Sequence, residues 1–410
     1  MNMFEEFAWR GMVSEATDGV REALGAERVT AYIGFDPTAS SLHIGNLLTV
    51  MGLARLQRFG HTPIAIVGGG TGMIGDPSGK SQERNLLSPE QIAVNVAGVR
   101  AQLERFLDFE TAPNAAKIVN NADWLGTIDV LSFLRDIGKH FTVGYMLQKE
   151  SVSRRLESAD GISYTEFSYL VLQAYDFLQL FDRHGCTLQM GGSDQWGNIT
   201  AGIELIRKVR AKKAHGLVWP LMKTAAGTKF GKTEAGTIWL DPALTSEYRF
   251  YQFWLNTDDR DVANYLKVFT WLDRAAIDGL GRALAEAPAA REAQRTLARA
   301  VTLMVHGPDG LALAERETAA QFGGGDDADI PAIVLAASDF AEGMATTDFM
   351  VAVSLAPSKS EAARTIKQGG FYVNDTRVTD ERGKVTLADV IDGRIKARKG
   401  QRERRIVRIS

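Results

Sequence analysis

The first two hundred residues alternate between short apolar runs and longer stretches of helical periodicity. Residues 30–35 and 63–67 are apolar runs of strand length that end at turn-forming residues. Between them, residues 42–59 have the spacing of a buried helix, with Ser41 as its predicted N-cap. Strands that alternate with helices predict an α/β fold around a parallel sheet, and the alternation continues to about residue 221.

Beyond residue 246 the strand pattern disappears. Residues 247–255, 260–269 and 289–305 place apolar side chains at helical spacing, which predicts a helical domain. The glycine-rich residues 323–327 have the composition of a flexible linker.

A third pattern begins at about residue 350. Residues 358–368 predict a helix that ends at the glycines 369–370. Residues 371–373 predict a strand that turns at residues 374–375. A short helix beside strands predicts a small α+β module at this end of the chain.

Composition favours a globular protein. Hydrophobic residues make up 45% and charged residues 24% of the 410 residues. No apolar run approaches the roughly 20 residues that a membrane-spanning helix needs. Glu5 and Glu6 do not fit the basic and apolar pattern of a secretory signal. We therefore expect a cytoplasmic protein with no membrane partner.

Cysteine and histidine usage favours a protein without a structural metal. Cys186 is the only cysteine, which excludes an intrachain disulfide and a cysteine-rich zinc site. The six histidines lack the spacing of metal ligands. We expect no metal site, and we expect Cys186 to be a small buried side chain.

Basic charge is concentrated at the end of the chain. Residues 391–410 contain eight basic and two acidic residues, although the net charge of the whole chain is −3. Such a segment favours a polyanionic partner, and a solvated chain end is the alternative.

Two motifs carry chemistry that fits phosphate. Residues 43–46 (HIGN) begin the first predicted helix, whose N-terminus presents free N–H groups and the positive end of the helix dipole. Gly45 would let a ligand approach the backbone. Residues 229–233 (KFGKT) place two lysines around a glycine, and they could close over a polyphosphate. Taken singly, each motif is also compatible with an ordinary polar surface.

Together, and in this order, the two motifs resemble the HIGH and KMSKS motifs of class I aminoacyl-tRNA synthetases. Two positions depart from the family pattern, with Asn46 at the second histidine of HIGH and Thr233 at the final serine of KMSKS. Further blocks resemble the bacterial tyrosyl-tRNA synthetases, namely YIGFDPT at 32–38, GDPSGK at 75–80 and QMGGSDQWGN at 189–198. The resemblance covers nearly the whole chain.

The resemblance implies a Rossmann-like parallel-sheet catalytic domain, a helical domain and a small α+β RNA-binding module. The boundaries that we predict are residues 1–225 for the catalytic domain, 226–245 for the KMSKS-type loop and its connection, 246–321 for the helical anticodon-binding domain, 322–349 for a linker and 350–410 for the RNA-binding module.

The resemblance also implies three groups of active-site residues. The tyrosine-binding residues would be Tyr32, Asp76, Tyr169, Gln173, Asp176 and Gln195. The ATP-binding residues would be Asp36, His43, Gly45, Asn46, Thr49, Gly192, Asp194 and Lys232. The catalytic residues, which act on the phosphates, would be Thr38, His43, Lys80, Arg84, Lys229 and Lys232.

Within the tyrosine group, the family implies that Tyr32 and Asp176 bind the substrate hydroxyl. Spacing supports part of this assignment independently, because Tyr169, Gln173 and Asp176 would share one face of a helix over residues 168–181. The alternative is that Tyr169 belongs to the core and Asp176 to the surface.

The implied reaction needs no covalent enzyme intermediate. In the first step, the tyrosine carboxylate would attack the α-phosphate of ATP and expel pyrophosphate. In the second step, tyrosine would pass to the terminal adenosine of tRNA(Tyr). The protein would contribute positioning and charge stabilisation, and Mg²⁺ would accompany ATP without a dedicated protein cage. The family also implies a homodimer.

Three other readings stay open from the sequence. A tryptophanyl-tRNA synthetase shares the architecture but has little use for the pair Tyr32 and Asp176. A non-catalytic RNA-binding relative would not require His43, Lys229 and Lys232. Residues 70–75 match the dinucleotide pattern GxGxxG, but a loop rather than a helix is predicted to follow them.

Overall fold

The computed structural model describes residues 2–78, 87–111, 113–157, 161–228, 230–233, 236–321, 330, 332–400 and 403–410, with only the backbone of residues 232 and 233. Contacts divide the chain into two compact units. The first comprises Met1–Thr233, Thr237–Thr245 and Trp254–Val305, and the second comprises Glu234–Gly236, Ser246–Phe253 and His306–Ser410. The domain boundaries predicted from the sequence stay predictions.

The described residues form fifteen strands and sixteen α-helices. The strands are β1 (Glu15–Ala16), β2 (Thr30–Phe35), β3 (Thr62–Val67), β4 (Lys117–Asn120), β5 (Cys186–Gly192), β6 (His215–Trp219), β7 (Lys232–Thr233), β8 (Gly236–Thr237), β9 (Ala332–Leu335), β10 (Met344–Ala345), β11 (Phe371–Val373), β12 (Thr376–Val378), β13 (Lys384–Val385), β14 (Arg394–Lys399) and β15 (Glu403–Ile409). The helices are α1 (Met3–Trp9), α2 (Val20–Ala26), α3 (Ile44–Arg58), α4 (Pro89–Leu103), α5 (Ala122–Leu125), α6 (Val130–Ser132), α7 (Val143–Leu147), α8 (Glu150–Leu156), α9 (Tyr164–His184), α10 (Trp196–Arg210), α11 (Glu247–Leu255), α12 (Asp259–Phe269), α13 (Arg274–Glu286), α14 (Glu292–Gln321), α15 (Thr346–Ala352) and α16 (Lys359–Lys367).

The first unit is built on a sheet whose described strands have the order β1-β6-β5-β2-β3-β4. Strands β2 to β6 are parallel, and the short β1 is antiparallel to β6 at the edge. The parallel strands therefore have Rossmann-like order, and the winding direction reverses between β2 and β5. This confirms the predicted fold class and identifies the crevice where such folds bind ligands.

The two predicted strands lie in the interior of this sheet. β2 spans the predicted residues 30–35, and β3 begins one residue earlier than predicted, at Thr62. Every residue of β3 after Thr62 is buried, as expected for a parallel strand that is covered on both faces.

The helix after β2 begins later than its apolar pattern predicted. α3 starts at Ile44, with His43 as its N-cap residue, and the Asn46 side chain accepts a hydrogen bond from the His43 backbone N–H at 3.1 Å. Ser41 is not the cap, because its hydroxyl is bonded to a neighbouring carbonyl and to a glutamine of α4. Ser88, in contrast, caps α4 as predicted, with proline at the first helical position.

The long helix α9 lies beside α10 and packs on β5. Ser163 caps its start, and Gly185 ends it in the left-handed conformation that glycine favours. Its buried face contributes to a core that includes Tyr32 and Phe177, whose rings are 5.2 Å apart. Cys186 is buried in this core, as predicted.

Of the helical segments predicted beyond residue 246, the first two are confirmed as α11 and α12, and the third lies mostly in α14, which begins at Glu292 and runs to Gln321. The helix α13 was not predicted. α14 is interrupted at Gly307, whose φ is 73°, immediately before Pro308. No α-helix that the structure describes is long and apolar enough to cross a membrane.

The second unit contains a sheet with the described order β12-β11-β14-β15-β9. Apolar residues of one face, including Phe371, Ile395 and Val407, form a core with Phe349. The predicted turn at residues 374–375 joins β11 to β12, and both residues have positive φ. The residues predicted as a linker, 322–349, contain β9 and the start of α15. β9 is part of the sheet, because it pairs in parallel with β15.

Candidate active site

A cavity of about 990 Å³ opens at the carboxyl ends of β2 and β5. This is the switch point of the sheet, where the loops after neighbouring strands diverge and leave a crevice. Most of the residues predicted for the site line it, namely Tyr32, Asp36, Thr38, His43, Gly45, Asn46, Thr49, Asp76, Tyr169, Gln173, Asp176, Gly192, Asp194 and Gln195. Lys80, Arg84, Lys229 and the side chain of Lys232 lie outside the described residues.

One end of the cavity is closed by a buried carboxylate. Asp176 is 3% exposed and accepts hydrogen bonds from Asn121 Nδ2 at 2.9 Å and from Trp124 Nε1 at 2.7 Å. A carboxylate has about four lone-pair directions, so both oxygens keep capacity for a further donor. Asp176 is therefore a fixed acceptor at the closed end, not the surface residue of the alternative reading.

Burial dominates the electrostatics at this end. It raises the pKa of Asp176 from 3.8 to about 7, although the hydrogen bonds from Asn121 and Trp124 lower it. Burial and the neighbouring Asp176 also raise the pKa of Tyr32 well above its ordinary value. Tyr32 lines the cavity, and its buried hydroxyl has no hydrogen-bond partner among the described residues, so its donor and acceptor capacity is unused.

The middle of the cavity is lined by a chain of amide groups. Gln173 Nε2 donates to Gln195 Oε1 at 3.2 Å, and Gln195 Nε2 donates to Asp76 Oδ2 at 2.8 Å. Asp76 Oδ1 accepts the backbone N–H of Ser78 at 2.8 Å. The arrangement supplies acceptor oxygens for a cation and amide donors for an anion within one segment of the cavity wall.

Asp36 lies beside this segment. Its carboxylate accepts a hydrogen bond from the hydroxyl of Tyr169 at 3.3 Å and one from the hydroxyl of Thr71 at 3.4 Å.

Asn121 connects the loop after β3 to Asp176. Its side-chain oxygen accepts from the Gly70 backbone N–H at 2.8 Å, and its Nδ2 donates to Asp176. The helix spacing predicted for Tyr169, Gln173 and Asp176 does bring all three to the cavity.

The open end is built mainly from backbone. A β-carbon on Gly45 would lie 2.8 Å from the ring of His43, and a β-carbon on Gly231 would lie 3.2 Å from the backbone nitrogen of Gly45. Glycine at residue 231 therefore allows the loop before β7 to approach the N-terminus of α3, and glycine at residue 45 leaves room for the His43 ring. The backbone N–H groups of Ile44 and Asn46 already donate to the carbonyl oxygens of Ile238 and His43, so this end offers a phosphate chiefly the positive end of the helix dipole.

Phe230 anchors that loop. Its side chain is 5% exposed, and its ring stacks on Phe269 with a centroid distance of 5.2 Å. Tyr265 and Trp254 meet the same ring at 5.0 Å and 5.8 Å. The KFGKT motif thus contains a buried aromatic contact between its two lysine positions, which the sequence pattern of basic residues did not indicate.

Sequence reasoning missed Asn121, Trp124 and Asn198. Asn121 and Trp124 follow β4, and residues at the carboxyl end of a parallel strand were a usable signal. Asn198 ends one of the blocks that carry the family resemblance, yet no chemistry was assigned to it. Among the described residues no group of three or more His, Cys, Asp or Glu side chains could hold a metal ion.

Comparison with known proteins gives a consistent family. A model described as "tRNA synthetases class I (W and Y)" matches residues 25–323, and one described as "Tyrosine--tRNA ligase SYY-like C-terminal domain" matches residues 326–406. The tyrosine–tRNA ligase of Roseiflexus castenholzii is 54% identical over 99% of both chains. That of Geobacillus stearothermophilus is 50% identical over the full length of both.

A solved structure supports the same relationship. The C-terminally truncated mitochondrial tyrosyl-tRNA synthetase of Aspergillus nidulans is 30% identical, with a TM-score of 0.69. The match covers 76% of this chain and 92% of that one.

Proposed function

This chain belongs to the class I tRNA synthetases of the tryptophan and tyrosine group, and from that premise we propose that it is a tyrosine–tRNA ligase. It activates L-tyrosine with ATP to tyrosyl-adenylate and pyrophosphate, and then transfers tyrosine to the 3′-terminal adenosine of tRNA(Tyr). The observation that carries the choice of tyrosine is the buried Asp176 carboxylate in the same cavity lining as Tyr32, whose buried hydroxyl has no partner among the described residues. These groups complement a phenol at the closed end of a cavity.

The amino acid is held along the cavity wall. Asp176 accepts the hydrogen bond of the substrate phenol, and the Tyr32 hydroxyl completes its pairing. Asp76, Tyr169 and Gln173 surround the ammonium group, and Gln195 lies at the carboxylate. These assignments place the reacting carboxylate toward the open end, which is the end with phosphate-binding character.

ATP occupies the open end. Asp36, Gly45, Asn46, Thr49, Gly192 and Asp194 hold its adenosine part and α-phosphate. Thr38, His43, Lys80, Arg84, Lys229 and Lys232 stabilise the charge that develops on the departing pyrophosphate. Mg²⁺ enters with ATP as part of the substrate, and its role is to neutralise phosphate charge.

A pyrophosphate-exchange assay with tyrosine, phenylalanine and tryptophan tests this function. Exchange that depends on tyrosine and is at least 10²-fold weaker with the other two amino acids is expected, because each leaves buried polar groups without partners. Equal or stronger exchange with tryptophan would establish the tryptophanyl alternative. Absence of exchange with all three, in a protein that retains its fold, would establish the non-catalytic RNA-binding alternative.

The C-terminal sheet is the proposed contact for tRNA. Cross-strand pairing puts Tyr372, Arg377 and Arg398 in one row, and it puts Arg394 opposite Arg408 on the same face. The guanidinium of Arg398 lies 3.8 Å above the Tyr372 ring. The helix α16 adds two further basic residues, Arg364 and Lys367. Phosphate contacts from such a surface weaken with salt.

Substitution of both Arg394 and Arg408 by alanine tests this contact. The KM for tRNA should rise about tenfold, and the salt dependence of tRNA affinity should shrink by about two units of logarithmic slope. Tyrosine-dependent pyrophosphate exchange should not change. The exposed Arg100 on α4, which pairs with Glu104, is a matched control for the loss of arginine charge. Normal tRNA charging by the double variant would assign the module another purpose.

A homodimer completes the proposal. Five large apolar side chains between residues 130 and 147 are exposed, with Leu131 at 75% and Val130 at 67%, and the others are Leu134, Val143 and Leu147. An apolar patch of this kind is typical of a subunit interface, and the occupant that we propose is a second copy of this chain. As expected from the sequence, we also propose a cytoplasmic location for the enzyme.

Sedimentation of a Leu131→Glu variant tests the dimer. The variant should sediment as a monomer at concentrations where the parent protein is a dimer. The matched control is Val94→Glu on α4, where valine is 59% exposed outside the patch. A parent protein that sediments as a monomer would contradict the proposal.

A further inference from the structure

Asn198 lies behind the cavity wall and contacts the amide chain that lines it. It is 4% exposed and is carried by α10. Its Nδ2 donates to Gln173 Oε1 at 2.9 Å and to Gln195 Oε1 at 3.3 Å. The same group lies 3.3 Å from the Ser78 hydroxyl oxygen. Asn198 is not among the described residues that line the cavity, so it contacts Gln173 and Gln195 from the side away from the cavity.

These bonds give the amide chain one direction. Asn198 donates to Gln173, Gln173 donates to Gln195, and Gln195 donates to Asp76. A primary amide has an oxygen on one side and an NH₂ group on the other, so each member must be oriented to match the next. The chain ends at a carboxylate, which accepts only. If one amide were reversed, its oxygen would face a neighbouring acceptor, and its NH₂ group would face a neighbouring donor.

We propose that Asn198 is a positioning residue for tyrosine activation, because its NH₂ group orients the amides of Gln173 and Gln195. The inference rests on the proposed function, in which these two residues hold the ammonium and carboxylate ends of the amino acid. In the observed orientation, Gln173 Oε1 keeps a second lone pair that can accept from an ammonium group. A reversed Gln173 would present its own NH₂ group to the same cation.

The buried position of Asn198 makes its chemistry specific. An aspartate at residue 198 would fill the same volume but would place an oxygen against Gln173 Oε1 and Gln195 Oε1. The two glutamines would then be driven to reverse, and Gln195 would turn its oxygen toward Asp76. An alanine would remove the donors without adding an opposing charge, so the glutamines would lose their preferred orientation without being forced to reverse.

Tyrosine-dependent pyrophosphate exchange with the full-length chain tests the proposal. Asn198→Asp should raise the KM for tyrosine at least tenfold, whereas the KM for ATP should stay within twofold of the parent. Asn198→Ala should raise the KM for tyrosine about threefold or more, with the same insensitivity of ATP. If the aspartate variant does not fold, the alanine variant carries the test. A merely structural role would not separate the two substrates.

Asn114→Asp is the matched control. Asn114 is also buried, and its Nδ2 donates to the carbonyl oxygens of Gln57 and His61 at 2.8 Å and 2.7 Å, outside the cavity lining. This variant should lose stability but keep the KM for tyrosine. The inference is overturned if both Asn198 variants keep that KM within twofold, or if the control raises it equally. A parent protein without tyrosine-dependent exchange would overturn the proposed function instead.

Discussion

The closed and open ends of the cavity are built from different materials. At the closed end, Asp176 is a buried side chain held by Asn121 and Trp124. At the open end, the N-terminus of α3 and the backbone around Gly231 approach each other. Tyrosine differs from phenylalanine by one hydroxyl, and a site can reject phenylalanine only if its own polar groups lose a hydrogen-bond partner. That loss is costly where water cannot replace the partner, so selectivity requires the buried closed end. Phosphate charge can be met by a helix dipole and by cations, both of which tolerate solvent.

The two ends should therefore respond differently to substitution. Loss of a group at the closed end should change which amino acid is accepted. Loss of a group at the open end should change the rate with little effect on amino-acid affinity.

The largest effect is expected from Asp176→Ala. It removes a charged acceptor, whose hydrogen bonds contribute about 1.5–3 kcal/mol each, and it leaves the donors of Asn121 and Trp124 buried without a partner. The ratio of kcat/KM for tyrosine to that for phenylalanine should fall about 10²-fold or more in pyrophosphate exchange. An unchanged ratio would mean that Asp176 does not bind the substrate hydroxyl.

Lys232→Ala should have the next largest effect. In the proposed function the lysine acts on charge that develops as pyrophosphate departs, so the single-turnover rate of adenylate formation should fall about 10²-fold. Equilibrium affinity for tyrosine should stay within twofold. A large loss of tyrosine affinity at an unchanged rate would place Lys232 at the other end of the cavity.

The ionisation of Asp176 should affect protein stability and tyrosine affinity in opposite directions. Its pKa of about 7 lies above the ordinary value of 3.8, so the native state holds an extra proton between these pH values. The free energy of unfolding should then decline as pH rises from about 4 to about 7. Tyrosine affinity should rise over pH 6 to 8, because the ionised form is the better acceptor. Asp176→Asn should flatten both profiles, and pH-independent tyrosine affinity in the parent protein would contradict this account.

Tyr32→Phe should have the smallest effect. The Tyr32 hydroxyl has no hydrogen-bond partner among the described residues, so its loss leaves no buried group unpaired and should not reduce thermal stability. The preference for tyrosine over phenylalanine should shrink about tenfold while activity survives. If Tyr32→Phe leaves this preference unchanged while Asp176→Ala lowers it, the Asp176 carboxylate alone binds the substrate hydroxyl.

The sequence was informative where the chemistry is local. The spacing of Tyr169, Gln173 and Asp176 on one helix face was sufficient to bring them to one surface, since helix geometry depends on nothing further away. The motif residues at the start of α3 were found from their resemblance to the HIGH motif, which is a contiguous run of residues. The helix start was misjudged at Ser41, because Ser41 finds partners in a neighbouring helix and leaves the cap position to His43.

The sequence by itself determined the strands β2 and β3, the cap at Ser88, the turn at residues 374–375 and the family of the chain. These features depend on neighbouring residues or on recurring motifs. Only the tertiary structure decided what holds Asp176 and the glutamines in place. Asn121 and Trp124 are 55 and 52 residues from Asp176, and Asn198 is 25 residues from Gln173. Such partners meet because separate strands and helices converge on one edge of a sheet. A local pattern can place Asn121 and Trp124 after a strand, but it does not determine that they bond to a residue of α9.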